Sequence, residues 1–215
     1  MKIRTRSPSR AFAILALLGA ILLLASCIDT DARISIDGKG SGSIALGYTV
    51  AQGLLETGEL EANARLIPFP VSREDFERGL AGIGGLKLVS YSRKDGKSGA
   101  AILATIKFDT PAALTSFLDP RGERAVWKNE GGRNSLRLTL AQGNPSLDPD
   151  IAALLKEAAA EAAFRIAFRL PSPAISSTIT GQVGTLKTSA KDTSYSAPLA
   201  QIATAPSPIV WELVW

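Results

Sequence analysis

The chain has 215 residues, with 24 Lys and Arg against 20 Asp and Glu, no histidine, one cysteine and one methionine. These absences exclude a Cys/His zinc site, the usual haem ligands, an internal disulfide, and catalysis of the Ser-His-Asp or Cys-His kind. Four of the basic residues precede Cys27 and none of the acids does, so the chain from Cys27 onward carries no net charge and no long basic run of the kind that marks a nucleic-acid partner.

Residues 1–26 read as an export signal. Lys2, Arg4, Arg6 and Arg10 stand before an apolar stretch from Ala11 to Ala25, about 15 residues, short of the roughly 20 that span hydrocarbon. Leu24-Ala25-Ser26-Cys27 resembles the lipobox of bacterial lipoproteins. The resemblance implies cleavage between Ser26 and Cys27, a diacylglyceryl thioether on Cys27 and an acylated, palmitate-type amine. An ordinary cleavable signal beside a free cysteine is the alternative. Residues 27–32 are then a lipidated tether, and 33–215 a single α+β domain.

Arg33–Asp37 and Ser43–Val50 alternate as two strands, with Ile34 and Ile36 on one face and Ile44, Leu46, Tyr48 and Val50 on another. Gly38-Lys39-Gly40-Ser41-Gly42 between them is a hairpin turn, because it lacks the Gly-Lys-Ser/Thr ending of a phosphate loop. A short helix falls at 51–55 or at 60–66. Ser72-x-x-Asp75 resembles a capping box and opens a helix with Phe76, Leu80 and Ile83 on its apolar side. Strands at Lys87–Arg93 and Ala100–Phe108 turn at Lys94-Asp95-Gly96-Lys97. Thr110-Pro111 opens a second helix carrying Leu114, Phe117 and Leu118.

Strands Arg124–Asn129 and Ser135–Leu140 turn at Glu130-Gly131-Gly132-Arg133, and Asp148-Pro149 opens a third helix with Ile151, Leu154, Leu155, Ala158 and Ala162 as its buried stripe. Phe164–Leu170 and Ile175–Thr180 read as strands. Residues 181–208, rich in Ser, Thr, Ala and Pro, read as irregular surface with one weak strand near Leu186. Ile209, Trp211, Leu213 and Trp215 alternate as a final strand tied into the sheet. Hairpins alternating with single helices predict an α+β fold, a mainly antiparallel sheet with helices packed on one face.

The order of lipobox cysteine, short tether and Ile34-Ser35-Ile36-Asp37-Gly38-Lys39-Gly40-Ser41-Gly42-Ser43, with Trp211–Trp215 closing the domain, resembles the LppM-like bacterial envelope lipoproteins. That resemblance implies a non-catalytic α+β envelope domain, one that handles lipids or glycolipids, and offers no catalytic residues.

Candidate chemistry is thin. Asp29, Asp31 and Asp37 lack calcium-loop spacing and suit a solvated tether; Lys187-Thr188-Ser189 has no Ser-x-x-Lys partner; Glu56, Glu59, Glu61, Asp75 and Glu77 suit solvated helix faces, although paired acids are what a glycan hydrolase needs. Trp127, Trp211 and Trp215 are a candidate ligand groove, with core packing as the other use for each. The expected function is a membrane-held, non-enzymatic lipoprotein on the periplasmic side or the cell surface. It would bind an envelope protein or an apolar, lipid-like ligand, and needs no cofactor or metal. A carboxylate-dependent hydrolase of envelope glycans is the alternative.

Overall fold

The computed structural model describes residues 30–59 and 69–215. The chain begins with β1 (Thr30–Ile36), β2 (Gly42–Ala51), α1 (Gln52–Glu59), α2 (Arg73–Leu80), β3 (Leu86–Gly96) and β4 (Gly99–Phe108). It continues through α3 (Pro111–Leu118), β5 (Ala125–Glu130), β6 (Arg133–Ala141), α4 (Pro149–Ala158) and β7 (Ala163–Arg169). The last elements are β8 (Ser176–Ile179), β9 (Thr185–Ser189), β10 (Asp192–Pro198), α5 (Leu199–Ala203) and β11 (Ile209–Val214). The fold is α+β and mainly antiparallel, as the alternation of hairpins and helices predicts.

The expected single sheet is divided in two. A seven-stranded sheet has the order β3-β4-β2-β1-β7-β10-β9 and a four-stranded one the order β5-β6-β11-β8. Only β1 and β7 pair in parallel; every other pairing among the described strands is antiparallel. Strongly twisted open sheets curl or split as they approach ten strands. Here the split lets the apolar face of β11 meet that of β7 and β10. Trp211 packs on Phe168 with ring centroids 5.2 Å apart at 72°, and on Tyr195 at 6.2 Å and 47°.

Period-two burial produces the large sheet. Ala32, Ile34 and Ile36 of β1, Ile44, Tyr48 and Val50 of β2, and Ile102, Ala104, Ile106 and Phe108 of β4 are buried on one face, over which helices pack on the β2–β4 side and the small sheet on the β7–β10 side. The helices start where their caps dictate. Ser72 Oγ accepts the Asp75 N–H (3.1 Å) while Asp75 Oδ2 accepts those of Ser72 (3.1 Å) and Val71 (3.2 Å), and Phe76 and Leu80 then turn inward. Thr110 Oγ1 accepts from Ala113 at the start of α3, and Asp148 Oδ1 from Asp150 and Ile151 at the start of α4. Two tyrosine hydroxyls on the inner face hold the strap before α2: Tyr48 donates to the Pro70 carbonyl and Tyr91 to that of Val71 at 2.6 Å. Burial pushes the Tyr48 phenol well above its usual range, so it remains a donor at all ordinary pH.

Four expectations are corrected. β1 begins at Thr30, inside the expected 27–32 tether, because Ala32 continues the buried alternation and Thr30 already stands opposite Tyr48 and Phe164. The β3–β4 turn is Lys97-Ser98 rather than 94–97, since Gly96 pairs with Gly99 and Gly99 alone takes a positive φ (+142°) there. The 181–208 segment is not irregular surface. It contains β9, β10 and α5, and its polar strands hide Thr193, Tyr195 and Ala197 at alternate positions. The expected stripe of α4 is only partly buried, with Leu154 exposed, and Ala162 lies beyond the helix end. The helix alternative at 60–66 lies outside the described residues; Gln52–Glu59 is where a helix forms.

A buried carboxylate ties α3 to β5. Asp119 accepts N–H groups from Arg121 (3.2 Å), Arg124 and Ala125 (3.0 Å), which hold its pKa below the usual carboxylate range, with the Arg124 bond the largest cause. A depressed folded pKa adds stability above the unfolded pKa, and that stability is lost as pH falls through the folded value. Asp119→Asn is therefore expected to lower the melting temperature at pH 7 by about 5 °C. The gap should begin to close as the pH falls through the ordinary carboxylate range and be gone once it lies below the depressed folded value, where the parent has lost the same charge. A gap that is the same at pH 3 and pH 7 would show that the carboxylate charge is not what holds this loop.

Candidate functional site

The Gly-rich hairpin after β1 is built as a turn. Asp37 accepts the N–H groups of Lys39 (2.8 Å) and Ser41 (3.1 Å) and the Ser41 hydroxyl (2.5 Å), and these bonds keep its carboxyl below its ordinary pKa. Gly40 sits at φ +82°, and a Cβ on Gly42 would lie 1.8 Å from the Ser35 carbonyl oxygen.

The other acids also have local tasks. Asp31 forms a two-point pair with Arg33 (3.0 and 3.2 Å), Asp75 caps α2 and pairs with Arg78 (3.3 Å), Glu77 pairs with Arg73 (3.7 Å), and Glu56 accepts from Gln52 (3.1 Å). Asp29 and Glu61 lie outside the described residues, as do Ser26 and Cys27, and Glu59 ends α1. No group of three or more potential metal-binding side chains forms among the described residues. On β9, Lys187 and Ser189 face outward, and the Thr188 hydroxyl between them is bound to that of Thr193 at 3.0 Å.

The tryptophans do not form the expected groove. Trp211 is 0 % exposed and Trp215 5 %, so neither presents a face to an open cleft. Trp127 and Trp215 pack edge to face, centroids 4.8 Å apart at 90°, beyond the end of the Trp211 cluster. Trp211 Nε1 donates to Ser177 Oγ at 3.1 Å, and the Ser177 hydroxyl shares a 3.0 Å bond with that of Thr193. A chain of polar groups thus runs from the small sheet through the interior to Thr188 on the rim of the large one. Trp127 Nε1 donates to Asn134 at 3.3 Å, whereas Trp215 Nε1 has no oxygen or nitrogen acceptor among the described residues.

What the structure assembles instead is the outer face of the seven-stranded sheet. The registers set side chains in rows across it. One row runs Lys87, Lys107, Ser43, Ser35, Arg169, Asp192, Ser189; the next runs Ser90, Thr105, Ala45, Arg33, Ala167, Ser194, Lys187. A third carries Ser92, Leu103, Gly47, Asp31 and Arg165. The floor is small (Ser43, Ala45, Gly47, Ala167) and the posts are basic. Two open troughs lie between them, of about 570 Å³ around Arg33, Arg169 and Lys187 and about 470 Å³ around Asp31, Leu103 and Arg165. Leu103 on β4, at 60 % exposure, is a large apolar side chain left exposed on this face, one strand in from the β3 edge.

Charge is sorted by layer. Counting Lys94, the outward positions of the large sheet hold seven cations against two acids, and one of those acids is already bound to Arg33. The five helices hold seven acids against three bases. A chain of no net charge from Cys27 onward is thereby polarised, with its basic side on the face that none of the described residues covers. Sequence reasoning missed this because each strand shows only one or two of these cations.

No family model matches the chain. No curated protein matches it either. Among solved structures, the chain is similar to the folded domain of LppM from Mycobacterium tuberculosis, determined by NMR, at 12% sequence identity and a TM-score of 0.46, covering 88% of this chain and 89% of that one. Among the described residues no helix is long and apolar enough to cross a membrane.

Proposed function

We propose that the protein is an exported, membrane-held lipoprotein anchored through lipid on Cys27, and that it works by binding an envelope partner on the uncovered face of its large sheet, without catalysis. The observation that carries this reading is the concentration of basic side chains on that face in a chain otherwise balanced in charge. An antiparallel sheet can leave one face in water without any function. It does not for that reason collect one sign of charge. The packed tryptophans weaken the version in which an apolar ligand sits between helices and sheet. The capping and pairing tasks of Asp75, Glu77 and Glu56 take them away from glycan hydrolysis.

A photo-crosslinking amino acid placed at Ala45 or Ala167 in the intact envelope tests it. Adducts, whether with lipid or protein, are expected from these two positions and not from Lys156 on α4. Equal yields from all three would sink the assignment of the face.

A further inference from the structure

We infer that the uncovered face of the seven-stranded sheet lies against the phosphate headgroups of an anionic phospholipid bilayer. The inference rests on the reading of that face as the binding surface and gives its partner a chemistry. Seven strands about 4.8 Å apart make a face roughly 30 Å wide. Lys107 on β4 and Arg169 on β7 share a row but stand three strand spacings apart, about 14 Å, as do Arg33 on β1 and Lys187 on β9. One small anion cannot gather all the charges spread in this way. Arg33, Arg169 and Lys187 share one open trough, but Lys87, Lys94, Lys107 and Arg165 stand outside it on the same face, so the face as a whole suits a plane of many phosphates.

Two further observations favour a bilayer over a soluble anionic polymer. Leu103 projects from the basic face on β4, one strand in from the β3 edge, where an apolar side chain gains by entering the interfacial layer. Only Ile28 and Asp29 separate Cys27 from Thr30, so β1, the central strand of the sheet, starts within about 11 Å of the proposed anchor. The acidic helices then lie on the far side, away from an anionic leaflet.

The test is amine footprinting of the full protein reconstituted in vesicles, with mass-spectrometric reading of single lysines. In phosphatidylcholine vesicles containing phosphatidylglycerol, labelling of Lys87, Lys107 and Lys187 is expected to fall roughly fivefold or more relative to Lys128 and Lys156, the scale of one lysine near an anionic surface. Pure phosphatidylcholine should give no such protection, and about 0.5 M salt should remove it, since screening then acts within a few ångströms. A variant with Arg33→Gln and Arg169→Gln, checked for an unchanged melting curve, should lose protection at the three lysines. Equal labelling of all five lysines on both vesicle types overturns the inference. Protection by soluble polyphosphate but not by vesicles also overturns it, while leaving the face as a binding surface for another polyanion.

Discussion

Trp211→Ala is expected to cost about 3–5 kcal/mol, the range for removing a large buried aromatic. For a chain of this size that is a fall in melting temperature of roughly 10–15 °C, and a large part of the 5–15 kcal/mol that a domain has. Three losses coincide at this residue. The ring is fully buried at the junction of the two sheets, its edge contacts to Phe168 and Tyr195 join β11 to β7 and β10, and its Nε1 feeds the hydroxyl chain through Ser177 and Thr193. Trp215→Phe is the informative companion. Trp215 is nearly as buried, but its Nε1 has no acceptor to lose among the described residues. An unsatisfied buried donor is itself unfavourable by about 1–3 kcal/mol, which offsets part of the lost volume. Calorimetry should therefore show Trp215→Phe costing under about 2 kcal/mol. If Trp211→Ala melted within a degree or two of the parent, the two sheets would not be joined through this residue.

Local chemistry made much of the fold legible. Ser72 with Asp75, Thr110-Pro111 and Asp148-Pro149 each name a helix start by the bonds they make, and the structure forms those bonds. Gly131 and Gly132, both at positive φ, turn β5 into β6 where the pattern of turn residues places the turn. The β9–β10 region was illegible for a physical reason: its buried positions are Thr193, Tyr195 and Ala197, and the two hydroxyls among them are satisfied by Ser177 of β8, Thr188 across the β9–β10 pair and the Val183 carbonyl. Polarity read along the chain looks like exposure until those partners are known.

The candidate site failed to show for a similar reason. Arg165 and Arg169 are visible as outward residues of one strand, Lys107 of another and Lys187 of a third. That they share a face depends on strand order, in which β7 lies between β1 and β10 although 126 residues of sequence separate the end of β1 from the start of β7. The tryptophans illustrate the reverse case. Their type suggested a ligand wall, and only the pairing of the two sheets shows Trp211 occupied by Phe168, Tyr195 and Ser177.

Cys27→Ser is expected to abolish lipid attachment altogether. A diacylglyceryl transfer of the lipobox type forms a thioether at a cysteine sulfur, and the chain has no second thiol to substitute. A serine hydroxyl, far harder to ionise, does not replace it as nucleophile. The variant should retain residues 1–26 by intact mass and incorporate no labelled fatty acid, whereas on the proposed reading the parent would hold two or three acyl chains, each stabilised by about 0.8 kcal/mol per buried methylene. A variant that is still cleaved before position 27 and still carries acyl label would refute the lipoprotein reading. The consequence for the domain follows from β1. Because strand pairing begins at Thr30, an anchored Cys27 would keep the start of β1 within about 11 Å of the headgroup layer, where the basic face can reach the leaflet. Loss of the anchor should then weaken the contact of Lys107 and Lys187 with anionic lipid without abolishing it. On the proposed reading anchor and face are two separate attachments, and removing either should leave the other measurable.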